Sequence, residues 1–172
     1  MILGFSTKIN GKETYFIEKI NNSIIKNYSN YFKETVECFE KHYSLKFGFC
    51  LRELKDLKQH TIREDKNNRW KPGIFIDFFI NVRKKDMFRF APRIPVISIQ
   101  KIEIKHSVIK KKKHRVIFID DKPFFIEGFS LEMNYKLVKL AQNDGFENGE
   151  DFFNYFDKDF TGKIIHWTNL KY

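Results

Sequence analysis

The six residues Lys58-Gln59-His60-Thr61-Ile62-Arg63 place an amine, a hydroxyl and a guanidinium close together in the chain. The segment is patterned like a strand, so Thr61 and Arg63 should point to one face and Ile62 to the other, towards a core. We expect the Thr61 face to display its hydroxyl and guanidinium. Lys58 lies where the chain enters the strand, and its ammonium can fold over the same face. The segment thus predicts a small polar site.

A lysine amine and a threonine hydroxyl three residues apart suit nucleophilic catalysis. The hydroxyl of Thr61 attacks only after a base removes its proton, and Lys58 serves as that base if burial or a nearby cation lowers its pKa. Arg63 would supply the cation. A carboxylate would complete the set by orienting the lysine or by protonating a leaving amine. The alternative is a solvated surface lysine beside an ordinary strand threonine.

The same residues also suit the binding of RNA. Arg63 would contact a phosphate bidentately or stack on a base, with Lys58 as a point charge and Thr61 as a donor to a phosphate or ribose hydroxyl. Downstream, Arg69-Trp70-Lys71 places an aromatic ring between two cations, a grouping that suits stacking of an unpaired base. The alternative for Trp70 is a core position at the entrance of the following strand.

The formal net charge of +10, from 32 Lys and Arg against 22 Asp and Glu, favours a polyanionic partner. RNA or a nucleoside is the expected partner, and DNA is a second option. The string Lys110-Lys111-Lys112-Lys113-His114-Arg115 concentrates positive charge at a predicted hairpin tip, where it can serve both as a turn and as a nucleic-acid contact. Two alternatives stay open: the tip is merely solvated, and the net charge reflects a lysine-rich composition.

Length and composition predict one domain across residues 1–172, with 20 Phe forming an aromatic core. Cys38 and Cys50 are expected to be reduced, structural thiols. The chain lacks both a long apolar run and a signal-peptide pattern, so we expect a cytoplasmic protein without membrane contact. No obligate protein partner is evident.

No metal or cofactor is expected from the residue types and their spacing. Asp65-Lys66-Asn67-Asn68 resembles the opening of a calcium loop but lacks the required glycine and terminal glutamate, so we interpret it as a polar turn. The histidines are scattered, without a pair at helical ligand spacing. His60 and His166 are each expected to be satisfied strand histidines, with a general acid or base of a ribonuclease-like site as the alternative.

Hydrophobic periodicity predicts a mixed, sheet-centred chain. Asn10-Gly11 suits a tight hairpin turn between Ile2–Ile9 and Thr14–Ile17. Residues 22–56 are expected to be a helical insertion. The predicted strands after the Lys58 segment form a meander that could close. Helices are predicted at 17–25, 32–43, 131–140 and 151–156, and further strands at 74–80, 96–104, 115–119, 124–126 and 163–167.

Three features, in order along the chain, resemble the ASCH family of PUA-like domains. The string Lys58-x-x-Thr61-Ile62-Arg63 is similar to the most recognisable motif of the family. Trp70-Lys71-Pro72-Gly73 leads into the apolar run Ile74–Ile80, where the family has a turn and then a barrel strand. The tail 140–146, the predicted helix 151–156 and the closing strand 163–167 complete the resemblance, which spans residues 55–167.

This resemblance implies an α+β fold, a PUA-like β-barrel with flanking helices, and recognition of RNA or of a modified nucleoside. In family members that hydrolyse N4-acetylcytidine it implies a lysine, a threonine three residues later and a distant glutamate as the catalytic set. Lys58 and Thr61 match, while Asp144 replaces the glutamate with a side chain one methylene shorter; Glu132 is a weaker substitute. An amidohydrolase of this type is the first alternative function, and a ribonuclease, which the family also allows, is the second.

Overall fold

The computed structural model describes residues 1–43, 57–109 and 112–172. Cys50, Lys110 and Lys111 lie outside the described residues, as do residues 44–56 of the expected helical insertion. Within the described ranges the fold is α+β, with four α-helices and three sheets. This confirms the α+β class expected from the sequence.

The α-helices lie where the periodicity predicts them. They are α1 Phe16–Asn27, α2 Phe32–Tyr43, α3 Leu131–Asn143 and α4 Gly149–Tyr155. The side chain of Asn148 caps α4 by accepting from the N–H of Asp151, which explains why α4 begins at Gly149 rather than at the predicted Asp151. None of the helices in the described ranges is long and apolar enough to cross a membrane.

The strands form two larger sheets and one small hairpin. In chain order β1 to β11 are Ile2–Phe5, Lys8–Ile9, Lys12–Glu13, His60–Arg63, Phe75–Ile80, Phe88–Arg89, Ile94–Pro95, Ser98–Ile109, Lys112–Ile119, Lys122–Ile126 and Phe160–His166. In the first sheet β5 pairs with β1, β6 and β7, and the second sheet has the order β10-β9-β8-β11-β4. Strands β2 and β3 pair only with each other among the described strands.

The N-terminal hairpin is shorter than the sequence predicts. Asn10 and Gly11 have φ values of 51° and 79° and join β2 to β3, as the Asn-Gly signal indicates. The expected strand Thr14–Ile17 is wrong, because Phe16 already begins α1. Ile2–Phe5 does not join the hairpin but pairs in parallel with β5. That long-range pairing carries no local sequence signal.

Strands β8 and β9 extend beyond their predicted ends because they pair with each other past the edge of the sheet. Their register continues from Lys105↔Val116 to Ile109↔Lys112, whereas β11 pairs with β8 no further than Ile104. A two-stranded ribbon therefore leads to the basic string. The pairing of β8 with β9 confirms the predicted hairpin at this place.

The five-stranded sheet is covered on both faces. Thr61 lies opposite Ile165, which belongs to one core, and Ile62 lies opposite Ile164, which belongs to a second core under α3 and α4. The predicted alternation of Thr61 and Ile62 is therefore confirmed. The predicted exposure of the Thr61 face is wrong, because residues of β1, β5 and α1 cover it and leave Thr61 only 2% exposed.

Aromatic rings fill the core on the Thr61 face, as the phenylalanine content predicts. Phe5 stacks on Phe78 with 5.9 Å between ring centroids. Trp167 meets Phe78 edge-on at 5.4 Å and Phe5 edge-on at 6.4 Å. Edge-to-face and offset stacks of this kind add to the stability that burial alone supplies. The core thereby fixes β1, β5 and the end of β11 against one another.

The two larger sheets adjoin at two places. Directly after β7, the N–H of Ile97 donates to the carbonyl of His166, so the chain passes from the first sheet into the second. At the other side, the guanidinium of Arg63 donates to the carbonyl of Gly4 at 2.8 Å. No backbone ladder joins β1 to β4 in the described ranges, so the paired strands do not close into a barrel.

Candidate functional site

Lys58 is buried and contacts Asp144 on a distant part of the chain. Its Nζ lies 2.6 Å from Oδ1 of Asp144 and also donates to the backbone carbonyl of the same residue. Lys58 is 1% exposed and Asp144 is 4% exposed. The alternative of a solvated surface lysine is therefore wrong. The structure brings together two of the three residues of the predicted catalytic set.

The backbone at the end of α3 favours the binding of lysine ammonium groups. The N–H of Gly145 donates to the carbonyl of Gln142, and the N–H of Phe146 donates to the carbonyl of Ala141, which is the hydrogen-bond pattern of a Schellman motif. Gly145 has a φ of 92°, which glycine adopts without strain. The negative end of the helix dipole and the free carbonyls of this turn favour ammonium groups nearby.

A second lysine, Lys19, contacts the same turn, where α1, α3 and the start of β4 meet. Nζ of Lys19 donates to the carbonyl of Gly145 at 2.9 Å, and the N–H of Lys58 donates to the carbonyl of Lys19 at 3.2 Å. A Cβ on Gly145 would lie 2.7 Å from Cε1 of Phe16 and 3.2 Å from Cδ of Lys58. The ring of Phe16 also lies 4.5 Å from Nζ of Lys58. Glycine is therefore the residue that this close packing permits.

Burial sets the electrostatics of the pair. Desolvation lowers the pKa of Lys58 to about 8, although the attraction of Asp144 acts in the opposite direction. Desolvation likewise raises the pKa of Asp144 against the attraction of Lys58. The amine of Lys58 consequently gives up its proton more easily than that of an exposed lysine. This is the property that a general base near neutral pH requires.

Thr61 lies on the neighbouring strand β4 and faces the same core as Lys58. At 2% exposure its hydroxyl is closed off, like the Lys58 and Asp144 side chains. A substrate would reach this set only after the covering residues move. The sequence thus identifies the right neighbours, but the tertiary structure encloses them.

Arg63, at the far end of β4, reaches a groove between the two larger sheets. Its guanidinium donates to the carbonyl of Gly4 and lies 5.4 Å from the ring of Phe5. The groove measures about 470 Å³ and is lined by residues of β1 together with Arg63, Glu64, Arg69 and Trp70. Arg63 is half-buried, so it belongs both to the packing and to the surface.

The three residues of the predicted group Arg69-Trp70-Lys71 differ in their exposure to solvent. Arg69 and Lys71 are exposed, whereas Trp70 is 6% exposed and belongs to the core that contains Phe5. The position of Trp70 favours the core interpretation over stacking on a base. The carboxylate of Asp65 accepts from the backbone N–H groups of Arg69 and Trp70, each at 2.9 Å, which fits the polar turn predicted for Asp65.

The basic ribbon is less free to bind than its sequence indicates. Arg115 donates to Glu127 at 3.1 Å and to Glu150 at 2.9 Å, and its guanidinium lies 4.4 Å from the ring of Phe153. Its charge is thus already compensated. Lys113 is exposed.

His60 and His166 lie side by side inside the second core. Both are 0% exposed, and their ring centroids are 5.3 Å apart. Nε2 of His60 lies 2.7 Å from the Tyr172 hydroxyl, and Nδ1 lies 3.7 Å from Oδ1 of Asp144. Burial lowers the pKa of His60 and lowers the pKa of His166 to about 4, so both are neutral at neutral pH.

The expectation of satisfied strand histidines is only partly correct. Both residues are buried strand histidines, but neither ring nitrogen of His166 has a hydrogen-bond partner among the described residues. Nδ1 of His60 likewise has no hydrogen-bond partner among the described residues. An unpaired buried polar group costs about 1–3 kcal/mol, so these ring nitrogens lower the stability of the fold.

A pocket that the sequence does not reveal adjoins the Gly145 turn. It has a volume of about 190 Å³, and its walls include Tyr15, Phe16, Lys19 and Phe146. These residues come from two segments more than a hundred residues apart in the chain. The local signal nearest to the pocket is the Asp-Gly turn, which predicts where α3 ends but not what packs against it.

Comparisons of the chain with protein-family models, with curated proteins and with solved structures gave no match. In the described ranges, no group of three or more His, Cys, Asp or Glu side chains is arranged to hold a metal ion.

Breaking the Lys58–Asp144 contact should destabilise the fold strongly. We expect Lys58→Met and Asp144→Leu each to lower the free energy of unfolding by about 3–5 kcal/mol, because each leaves a buried partner uncompensated. The double variant should lose less than the sum of the two, as urea-induced unfolding would measure. Strictly additive losses would show that the two side chains are not coupled.

The buried histidines should make the protein less stable in acid. Between pH 6.5, the ordinary pKa of histidine, and about 4, the unfolded chain binds protons that folded His166 does not, so stability falls as pH falls. The steepest loss is about 1.4 kcal/mol per pH unit for each histidine. The pKa of Asp144 is raised in the folded protein, so in acid the folded state binds more protons at this residue than the unfolded chain does. Asp144 therefore contributes a gain in stability as the pH falls, opposite to the effect of the histidines.

Comparing wild type with His166→Gln isolates the histidine contribution from that of Asp144. We expect the difference between their unfolding free energies to change across pH 6.5 to about 4, with the wild type losing more stability as the pH falls. Chemical denaturation at several pH values would measure it. A difference that stays constant with pH would contradict the assignment.

Proposed function

We propose that this protein is an ASCH-type domain that recognises RNA or a modified nucleoside through a basic groove beside the Lys-x-x-Thr-Ile-Arg motif. One observation carries the proposal: Arg63 and Arg69 line the groove with a single acid, Glu64, whose carboxylate pairs with Lys66 at 3.2 Å. Neither arginine forms an ion pair with another described residue, and positive charge of this kind in an open groove attracts phosphate groups. The formal charge of +10 acts in the same direction.

The proposal includes a PUA-like barrel that is open between its two sheets. Strand β5 pairs with β1 and β7, the chain runs from β7 into β8, and β8, β11 and β4 pair in turn. Two steps lack a ladder among the described strands. The step from β7 to β8 is bridged by the chain itself and by the hydrogen bond from Ile97 to His166, and at the step from β4 back to β1 Arg63 donates to Gly4. The groove lies along the seam between β4 and β1. The order of strands and the motif resemblance support the barrel together.

Arg63 is well placed to bind a phosphate. Its contacts with the Gly4 carbonyl and the Phe5 ring restrict the side chain before any ligand arrives. A guanidinium that is already ordered loses less conformational freedom when it forms a bidentate pair with phosphate oxygens. Arg69, exposed on the same groove, adds a second positive charge.

The groove arginines should control the salt dependence of RNA binding. We expect Arg69→Gln to weaken binding of a labelled single-stranded RNA and to reduce the slope of log affinity against log salt by about 0.7, the value for one lost phosphate contact. Arg63→Lys should also weaken binding, because an ammonium cannot replace the bidentate fork. Fluorescence anisotropy at several salt concentrations would measure both effects.

Lys33→Gln provides the matched control, because it removes one positive charge from an exposed side chain on α2. It should leave the affinity and the slope close to wild type. RNA binding that is equally weakened by all three substitutions would mean that net charge alone attracts RNA. Unchanged binding in Arg69→Gln and Arg63→Lys would exclude the groove as the RNA site.

An amidohydrolase acting on an acylated cytidine is the second candidate, and the buried Lys58–Asp144 contact favours it. In this reaction Lys58 would take the proton of the Thr61 hydroxyl as that oxygen attacks the acyl carbon, and Asp144 would hold the lysine in place. The bond between N4 and the acyl carbon then breaks as the lysine returns the proton to the leaving amine, and water hydrolyses the acyl-threonine to release the carboxylic acid. The lowered pKa of Lys58, about 8, suits the base. The burial of all three side chains requires that the site open to admit substrate.

This second candidate predicts hydrolysis of N4-acetylcytidine that increases with pH as Lys58 loses its proton, with a midpoint near pH 8. Thr61→Ala should abolish turnover, while Thr61→Ser should retain part of it. Chromatographic separation of cytidine from the acylated nucleoside would follow the reaction. Full activity in Thr61→Ala would eliminate the threonine nucleophile, and RNA binding unaffected by Thr61→Ala would separate the two candidates.

A further inference from the structure

A chain of polar side chains connects Gln59 to Asp144. Nε2 of Gln59 donates to Oδ1 of Asn143 at 2.8 Å, and Nδ2 of Asn143 donates to the Tyr172 hydroxyl at 3.0 Å. The same hydroxyl lies 2.7 Å from Nε2 of His60. On the other side of the imidazole ring, Nδ1 of His60 lies 3.7 Å from Oδ1 of Asp144. The ring of His60 therefore stands between a hydroxyl and a carboxylate.

The direction of these hydrogen bonds determines which nitrogen of His60 carries the proton. The oxygen of Asn143 accepts from Gln59, so its amide nitrogen faces Tyr172 and donates to it. The Tyr172 hydroxyl can then donate its own proton to Nε2 of His60. A neutral imidazole has one N–H, which in this arrangement lies on Nδ1 and faces Asp144. If both amides were turned over, Nδ1 would present a lone pair to the carboxylate instead, and the two would repel each other.

Burial leaves Asp144 as the acceptor for this N–H. His60 is 0% exposed, and its Nδ1 has no hydrogen-bond partner among the described residues. A movement of roughly 0.5 Å would bring Nδ1 within ~3.2 Å of the carboxylate, the outer limit of an N–H···O hydrogen bond. Burial, with the neighbouring His166 and Lys58, lowers the pKa of His60, so the ring offers a neutral donor rather than a charge.

The carboxylate of Asp144 needs such a donor because it is buried. Desolvation raises its pKa, whereas the charges of Lys58 and Arg63 and the backbone N–H of Ile62 act in the opposite direction. A hydrogen bond to the ionised form of a carboxyl group also favours that form. An N–H from His60 therefore acts together with Lys58 against the cost of desolvation.

We propose that His60 is a positioning residue of the Lys58 site, whose Nδ1–H, held in place by Tyr172, keeps the Asp144 carboxylate ionised and directed at Lys58. The catalytic part of this inference rests on the amidohydrolase candidate. In that reaction Lys58 becomes an ammonium when it takes the proton of the Thr61 hydroxyl, and an ionised Asp144 stabilises this ammonium. A protonated Asp144 would not.

Two substitutions of His60 separate its two nitrogens. The side-chain amide of asparagine can place an N–H where Nδ1 lies, whereas that of glutamine reaches the position of Nε2. We expect His60→Gln to increase the proton affinity of Asp144 about tenfold and His60→Asn to change it less than about twofold. Carboxyl ¹³C shifts followed over pH, with Asp144→Asn to assign the resonance, would measure both. His166→Gln, which alters the neighbouring ring, is the control and should leave Asp144 as in wild type.

The tautomer of His60 tests the proposal without a cavity at this position. Long-range ¹H–¹⁵N spectra of the wild type should show the proton on Nδ1. Tyr172→Phe keeps the aromatic ring but removes the hydroxyl, so part of the population should move to the Nε2–H form. A wild-type protein with the proton on Nε2 would overturn the proposal, as would equal proton affinity of Asp144 in wild type and His60→Gln.

Hydrolysis of N4-acetylcytidine gives an independent readout. If the amidohydrolase candidate is correct, His60→Gln should be slower than His60→Asn at every pH. A tenfold change at Asp144 in a protein that hydrolyses nothing would support the role of His60 and overturn the amidohydrolase. Equal hydrolysis by wild type and His60→Gln, with Asp144 unchanged, would overturn the role of His60 and leave the amidohydrolase standing.

Discussion

The contact of Lys58 with the end of α3 is the interaction on which the other features of the structure depend. Both ionisable groups lose their hydration when they form it. Their mutual attraction offsets that loss only because the two groups lie close together. The ammonium compensates by bonding both the carboxylate and the backbone carbonyl of Asp144, where the helix dipole is negative. Since Lys58 also bonds the backbone of Lys19, one residue holds β4, α1 and α3 together.

The contact between Lys58 and the end of α3 positions both the pocket beside the Gly145 turn and the groove beside Arg63. At the Lys58 end of the motif, the close approach of Phe16 to Gly145 forms one wall of the aromatic pocket. At the other end, Arg63 reaches the seam between the sheets. Five residues separate the two, roughly 16 Å if the segment is extended. A single short segment thus connects the turn at the end of α3 with the groove at the seam.

Sequence reasoning succeeded where the signal is local and periodic. The alternation of Thr61 and Ile62, the helices and the Asn-Gly turn all follow from spacing or from turn chemistry, and the structure has them. It failed where a distant segment decides. The parallel pairing of Ile2–Phe5 with β5 covers the Thr61 face, so a face patterned as polar is buried. The ASCH relationship and the nucleic-acid partner stay predictions.

By itself the sequence determined which chemical groups are available and in what order: an amine, a hydroxyl and a guanidinium on one segment, a carboxylate after a helix, and an excess of positive charge. Only the tertiary structure decided their environment. Burial depends on what packs against a residue. It lowered the pKa of Lys58, and it placed Trp70 in the core rather than on the surface. It likewise assembled the pocket around Tyr15 and Lys19, since contacts between distant segments leave no periodic trace in the chain.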